Sequence, residues 1–211
     1  MKQSKSAPVF KTKSYLYVLA WLLLMVFSAK FIIKNALPYF GFDEAVFGKL
    51  WDYKWSLIAH VSGGILAIII GPFQFWKSFR NKFLRIHKLL GRIYLIAILI
   101  GTLSAIHLAW TSALKIHWTW AMSLQGLAFA WMVTAGMAYI SVRRKRIQQH
   151  RDWMARSYVV TFAFVTFRWL YELPMLQDLG TFIERGPTTI WVSWTVPLLI
   201  TEIFISWNKK K

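Results

Sequence analysis

Polar groups inside long apolar stretches cost free energy unless each has a partner or a task. This chain places several there. His60 lies in LIAHVSGGILAIIIGPFQF and His107 in IYLIAILIGTLSAIHLAW. His60 is 16 residues before Trp76, and His107 is 15 residues after Arg92. At about 1.5 Å per residue, both would stand ~23 Å from one membrane edge. Two histidines at one depth on adjacent antiparallel helices are what a bis-histidine haem b requires, with axial nitrogens facing across a flat, apolar slot. The plainer alternative is that each histidine hydrogen-bonds a neighbouring helix.

Arg168 and Glu172 fall four residues apart, on one helix face. Such a pair can neutralise itself. The sharper reading is that Arg168 faces a bound anionic or polar group: a haem propionate, a quinone oxygen or a lipid headgroup. His60, Gly64, Ala67, Gly71 and Gln74 recur at helical spacing. They form a stripe of small residues with a polar group at each end, which suits close helix packing in a membrane.

A weak internal repeat follows two basic runs. His87…Arg92-Ile-Tyr94 and His150…Arg156-Ser-Tyr158 both read histidine, four or five residues, arginine, one residue, tyrosine, then an apolar span. Two helical hairpins of one topology would set these corners side by side, and chance similarity between two juxtamembrane basic loops is the alternative. His87 and His150 could ligate a metal, relay protons or simply be solvated. His-x3-His clusters, Gly-rich phosphate loops and nucleophile elbows are absent from the sequence, so no catalytic residue is named and the question of an enzyme stays open. No metal site beyond a candidate haem iron is read.

The elements that must carry these residues are membrane helices. Of the 211 residues 57% are hydrophobic and 18% aromatic, with mean hydropathy +0.44. That is above the roughly 45–50% apolar content of soluble domains. Apolar runs near 20 residues match a hydrocarbon core of about 30 Å, where only helices satisfy their own backbone in such runs. Spans are expected at about 14–33, 57–75, 92–110, 118–141, 157–173 and 190–207. The first reads as a retained helix rather than a cleaved signal peptide, because Phe27 stands where a small residue belongs before Ser28 and Ala29.

The formal charge of +18 sits in the connections, not on a soluble face, so nucleic acid is not the expected partner. Nineteen Lys and Arg fall on the N-terminus, two alternate connections and the tail, against five on the other set. The positive-inside rule then places both termini in the cytoplasm, in a cell (inner) membrane, with anionic lipids at that face. The absence of cysteine removes disulfides, thiol catalysis, iron–sulfur ligation and covalent haem attachment. The expected fold is an all-α integral membrane protein, a six-transmembrane-helix bundle with a four-helix core of two hairpins. It divides into a basic N-terminus 1–13, a first helix and outer loop 14–55, the core 56–173, and a last loop, helix and tail 174–211.

The segment His60…Gly71-Pro72-x-Gln74-Phe75…Arg85-x-His87-x3-Gly91-Arg92-x-Tyr94, then His150-Arg151-x-Trp153-Met154-x-Arg156-Ser157 and Arg168, resembles a bacterial family of predicted membrane proteins, domain of unknown function 2306. The resemblance covers about residues 55–170 and implies a multi-pass membrane protein without an assigned activity. The family's His-Arg pair at the first corner is His87-Lys88 here, which keeps the charge and loses bidentate geometry. The core is also similar in architecture to the cytochrome b561-type haem bundle.

Three functions follow as expectations. The first is a redox protein holding haem b between His60 and His107, with Arg168 as anionic-group partner and a quinone or another membrane redox protein as exchange partner. The second is a non-redox small transporter or a binder of anionic lipid. The third is a structural subunit of a membrane complex.

Overall fold

The computed structural model describes the backbone of residues 10–207 and the side chains of Tyr15 and residues 18–207. The basic side chains of the N-terminal segment 1–13 and the tail Lys209–Lys211 lie outside the described residues. Regular structure among the described residues is helical throughout. In chain order it runs α1 (Phe10–Phe31), α2 (Glu44–Phe47), α3 (Lys54–Phe75), α4 (Lys77–Lys82), α5 (Leu84–Leu108), α6 (Leu114–Ile116), α7 (Trp118–Arg143), α8 (Ile147–Thr161), α9 (Ala163–Tyr171), α10 (Pro174–Gln177) and α11 (Phe182–Trp207). Short π and 3-10 turns join α1 to α3 and α5 to α6.

Five helical stretches among the described residues are long and apolar enough to cross a membrane: Val18–Gly41, Glu44–Phe75, Leu84–Ile116, Trp118–Arg143 and Phe182–Trp207. The stretch expected as a span at 157–173 is divided between α8 and α9 at Phe162. There is a local cause. Thr161 Oγ1 donates to the carbonyl of Ser157, one turn back, at 2.9 Å. This kind of back-bonding bends helices. The Phe162 amide accordingly spreads over the carbonyls of Tyr158 and Val159 at 3.2 and 3.1 Å.

The expected boundaries shift most at the basic connections. Residues 76–91 read as a loop and fold as α4 and the first two turns of α5. Their lysines and arginines tolerate the helix because long cationic side chains lay their stems along it and keep their heads in water. The second corner is tighter still. Lys145 takes a left-handed turn at φ 58, and α8 begins two residues later.

α3 packs chiefly on α5 and α7 on α8, while α11 lies across α7, α8 and α9. Tyr94, Ile98, Val160 and Ile190 fill the centre. The outward faces of the long helices expose Ile69, Ile96, Ile100, Leu103, Phe129 and Leu199, a belt that a soluble protein would bury. α1 stands apart. Only 6% of its apolar window is buried, and it leans on α9 through Phe27 against Trp169 at 4.4 Å and Lys30 against Glu172 at 3.6 Å.

Candidate functional site

Close backbone approach between α3 and α5 sets the position of His60. Gly63 lies so near α5 that a Cβ there would come within 2.5 Å of the Ala97 carbonyl. Small residues permit such contacts. One turn earlier, His60 Nδ1 donates to the Gly101 carbonyl at 2.9 Å. A carbonyl only accepts, so Nδ1 carries the hydrogen and Nε2 is the remaining polar atom of the ring. The ring stands edge-on to Trp131 and Phe164, at 6.3 and 5.9 Å.

His107 occupies another level. Its Nδ1 shares a hydrogen bond with Ser56 Oγ at 2.9 Å, and its ring faces Tyr53 at 6.1 Å. Ser56 is one turn before His60 on α3, and Gly101 is six residues before His107 on α5. The two histidines are therefore offset by about 6–9 Å along the helix pair. The expectation of equal depth is corrected, because Arg92 is not the helix edge: α5 starts eight residues earlier, at Leu84. His107 is also exposed.

A cavity of about 860 Å³ opens beside His60. Its wall draws on α3, α7, α9 and the segment between α1 and α3, and is mostly apolar and aromatic, including Trp120, Trp131, Leu127 and Phe164. His60 and Arg168 line it, whereas His107 does not. Lys49, Asp52 and Lys115 line it towards the connections opposite the basic corners, and Lys115 Nζ donates to the Tyr53 hydroxyl at 2.7 Å.

The expected pairing of Arg168 with Glu172 does not form. Glu172 turns to Lys30, and Lys30 also lies over the Trp169 ring at 3.8 Å. Arg168 retains a distant face-on approach to Phe167, at 5.9 Å, and has no carboxylate within ion-pair distance among the described residues. It is a partly buried guanidinium without an ion pair among the described residues, although Glu172 lines the same small recess beside Lys30 and Asn35.

The expected stripe on α3 splits between two faces. Ala67, Gly71 and Gln74 are buried. Gly64 lines the cavity, with no atom near the place of a Cβ. The helix contact falls on Gly63 instead.

At the basic end the two corner tyrosines reach across between helix pairs. Tyr158 of α8 donates to the Ile68 carbonyl of α3 at 3.1 Å, with its ring in the notch left by Gly71, where a methyl group would collide with it. Tyr94 of α5 meets Ser157 Oγ at 3.0 Å and Thr161 Oγ1 at 3.2 Å. Trp131 Nε1 donates to Thr161 Oγ1 at 2.9 Å. The hydrogens of this network have one consistent arrangement. The Thr161 hydroxyl already donates to the Ser157 carbonyl, so Tyr94 must donate to Thr161 and Ser157 to Tyr94.

The other corner residues part ways. His150 Nδ1 donates to the Ala138 carbonyl at 2.9 Å. Arg156 grips Glu202 of α11 through Nε at 2.8 Å and a terminal nitrogen at 2.6 Å, and stacks on Trp153 at 4.6 Å. Arg92 is exposed. Sequence reading missed the roles of Thr161 and Trp131, whose only sign was a polar group on an apolar face, and named Ser157 only as part of the second corner motif.

Several long apolar helices around a buried polar network define a multi-pass helical membrane protein. The chain belongs to the family described as Predicted membrane protein (DUF2306), whose model matches residues 57–205. No curated protein and no solved structure matches the chain.

Proposed function

We propose that this protein binds a membrane-borne amphiphile in the cavity, with an anionic head between His60 and Arg168 and its apolar part along the aromatic wall. Arg168 carries the reading. A partly buried guanidinium with no ion pair among the described residues is costly at membrane depth unless a ligand compensates it. The volume falls within the ~300–1,000 Å³ common for ligand pockets, and the lining has their usual make-up of apolar walls and a few placed polar groups. The protein then acts as a non-redox binding or carrier protein of the membrane.

The proposed topology completes this picture. The α8–α9 stretch counts as a sixth span despite its bend, the α3–α5 and α7–α8/α9 pairs are two hairpins of one core, and both termini lie in the cytoplasm of a cell that keeps the chain in its inner membrane. Anionic lipids meet the basic corners, and the cavity opens to the outer leaflet.

The test uses the full chain in detergent with a fluorescent long-chain fatty acid and the corresponding alcohol. The carboxylate should bind more tightly, and Arg168→Gln should weaken it about tenfold, or ~1.4 kcal/mol, while sparing the alcohol. Equal binding of acid and alcohol by the wild type would overturn the reading.

The redox reading keeps one support. A histidine whose Nδ1 is fixed by a carbonyl, as His60 is by Gly101, is oriented as metal-ligating histidines are. The offset of His107 would leave a haem iron at His60 without the second axial ligand first expected. A reduced-minus-oxidised visible spectrum of protein from haem-replete cells decides between the two. A b-type spectrum lost in His60→Ala would displace the carrier reading.

A further inference from the structure

The first corner holds a second feature, independent of the cavity. Gln74, in the last turn of α3, is 7% exposed. Its side-chain oxygen fits over Gly91 of α5, where a Cβ would stand 3.2 Å away. His87 lies one turn before Gly91, on the same face of α5. Gln74 Nε2 and His87 Nδ1 are both buried atoms with no hydrogen-bond partner among the described residues. The second corner shows what is missing, because there the matching histidine, His150, finds the Ala138 carbonyl.

The amide nitrogen of Gln74 is a donor only, and His87 Nδ1 donates in one neutral tautomer and in the imidazolium. Leaving such buried groups unmet costs about 1–3 kcal/mol each. The charges that act on the His87 ring are those of Arg80, His150 and Lys88, and no carboxylate is among them. Two orphan buried donors, one of them under the influence of nearby positive charge, suit an anion with several acceptor oxygens. Lys88 suits such a ligand, since lysine holds phosphate as a point charge without needing a planar fork.

We propose that Gln74 and His87, with Arg80 and Lys88, bind a phosphate-class anion at the basic end of the α3–α5 pair. Two sources share that chemistry: the headgroup of an anionic phospholipid in the adjacent leaflet, and free phosphate from the aqueous side.

The experiment titrates full-length protein in detergent with inorganic phosphate by calorimetry, and measures retention of phosphatidic acid against phosphatidylcholine by native mass spectrometry. Binding of either phosphate or phosphatidic acid supports the site, and which one binds names the source. Gln74→Leu and His87→Leu should each weaken that probe about tenfold, the loss expected for a donor to a charged group. Arg92→Gln, an exposed charge outside the cluster, should change it less than about twofold. If Gln74→Leu does not yield monodisperse protein, the half-buried His87→Leu decides alone. The proposal is overturned if neither probe binds, or if Arg92→Gln loses as much as His87→Leu, since the attraction would then be general to the basic surface. Fatty-acid binding at Arg168 is measured on the same variants and should not move, which keeps this site distinct from the cavity.

Discussion

The half of the bundle near the basic corners and the half away from them are built in opposite ways. Near the corners the helices close on one another. Gly71 admits the Tyr158 ring, Tyr94 ties α5 to α8, and Arg156 ties α8 to α11. Away from the corners the same helices stand around an opening of about 860 Å³. The difference teaches where a membrane protein keeps its stability. Lipid is as apolar as leucine, so helices gain little by hiding apolar side chains from it and associate through close packing and hydrogen bonds. Glycines with large partners and hydroxyl networks supply both at one end. At the other end α3 still meets α5 closely at Gly63, while aromatic side chains and Arg168 line the opening. Substitutions should divide accordingly, costing stability in one half and ligand in the other.

Three glycines of α3 give the strongest way to break that contrast. Gly63→Ala would press on the Ala97 carbonyl of α5 and Gly71→Ala on the Tyr158 ring, and each should cost about 1–3 kcal/mol through overpacking, read as a lowered thermal midpoint in detergent. Gly64→Ala, with open space beside it, should cost nothing or stabilise slightly, because alanine is the better helix former. Equal destabilisation by Gly63→Ala and Gly64→Ala would mean that the cavity is not open in the membrane.

Next in size is the link from α8 to α11. Arg156→Gln removes a two-pronged grip on Glu202, which is itself half exposed, so a loss of up to about 1 kcal/mol is expected, and Glu202→Gln should lose about as much. Tyr94→Phe should cost roughly 0.6 kcal/mol, the average for hydrogen bonds between membrane helices. A larger loss would show that the Tyr94–Thr161–Trp131 network acts as a unit. The smallest effect on stability belongs to Arg168→Gln. It should leave the thermal midpoint unchanged without ligand and cut the stabilisation that a bound fatty acid confers by up to ~1.4 kcal/mol, because a ligand stabilises only the state that binds it. A drop in the ligand-free midpoint would instead make Arg168 a structural residue.

Legibility from sequence followed the physics of each feature. Helices were legible because lipid leaves the backbone no other way to satisfy itself, and their approximate centres followed from apolar length. Helix ends were not. Residues 76–91 contain enough Lys and Arg to read as a loop, yet side-chain charge does not stop a helix whose cationic ends reach water. The depth of His107 is hidden for the same reason, because α5 begins at Leu84 and not at Arg92. The repeated His–Arg–Tyr corners were visible as a pattern, but not the reciprocal reach of Tyr94 and Tyr158 between the helix pairs. Spacing along one helix says nothing about which neighbour stands opposite.

What the sequence determined by itself is that this chain belongs in a bilayer as a set of helices, and that His60, His107, Arg168 and the two basic corners are the polar groups to be explained. Hydropathy and the price of burying polar groups are local properties, written residue by residue. Tertiary structure alone decided that Glu172 turns to Lys30 and leaves Arg168 facing a cavity, that His60 and His107 bind different levels of the same helix pair, and that Gly63 rather than Gly64 makes the contact. Those outcomes depend on the rotation and register of one helix against another, set by packing over the whole bundle.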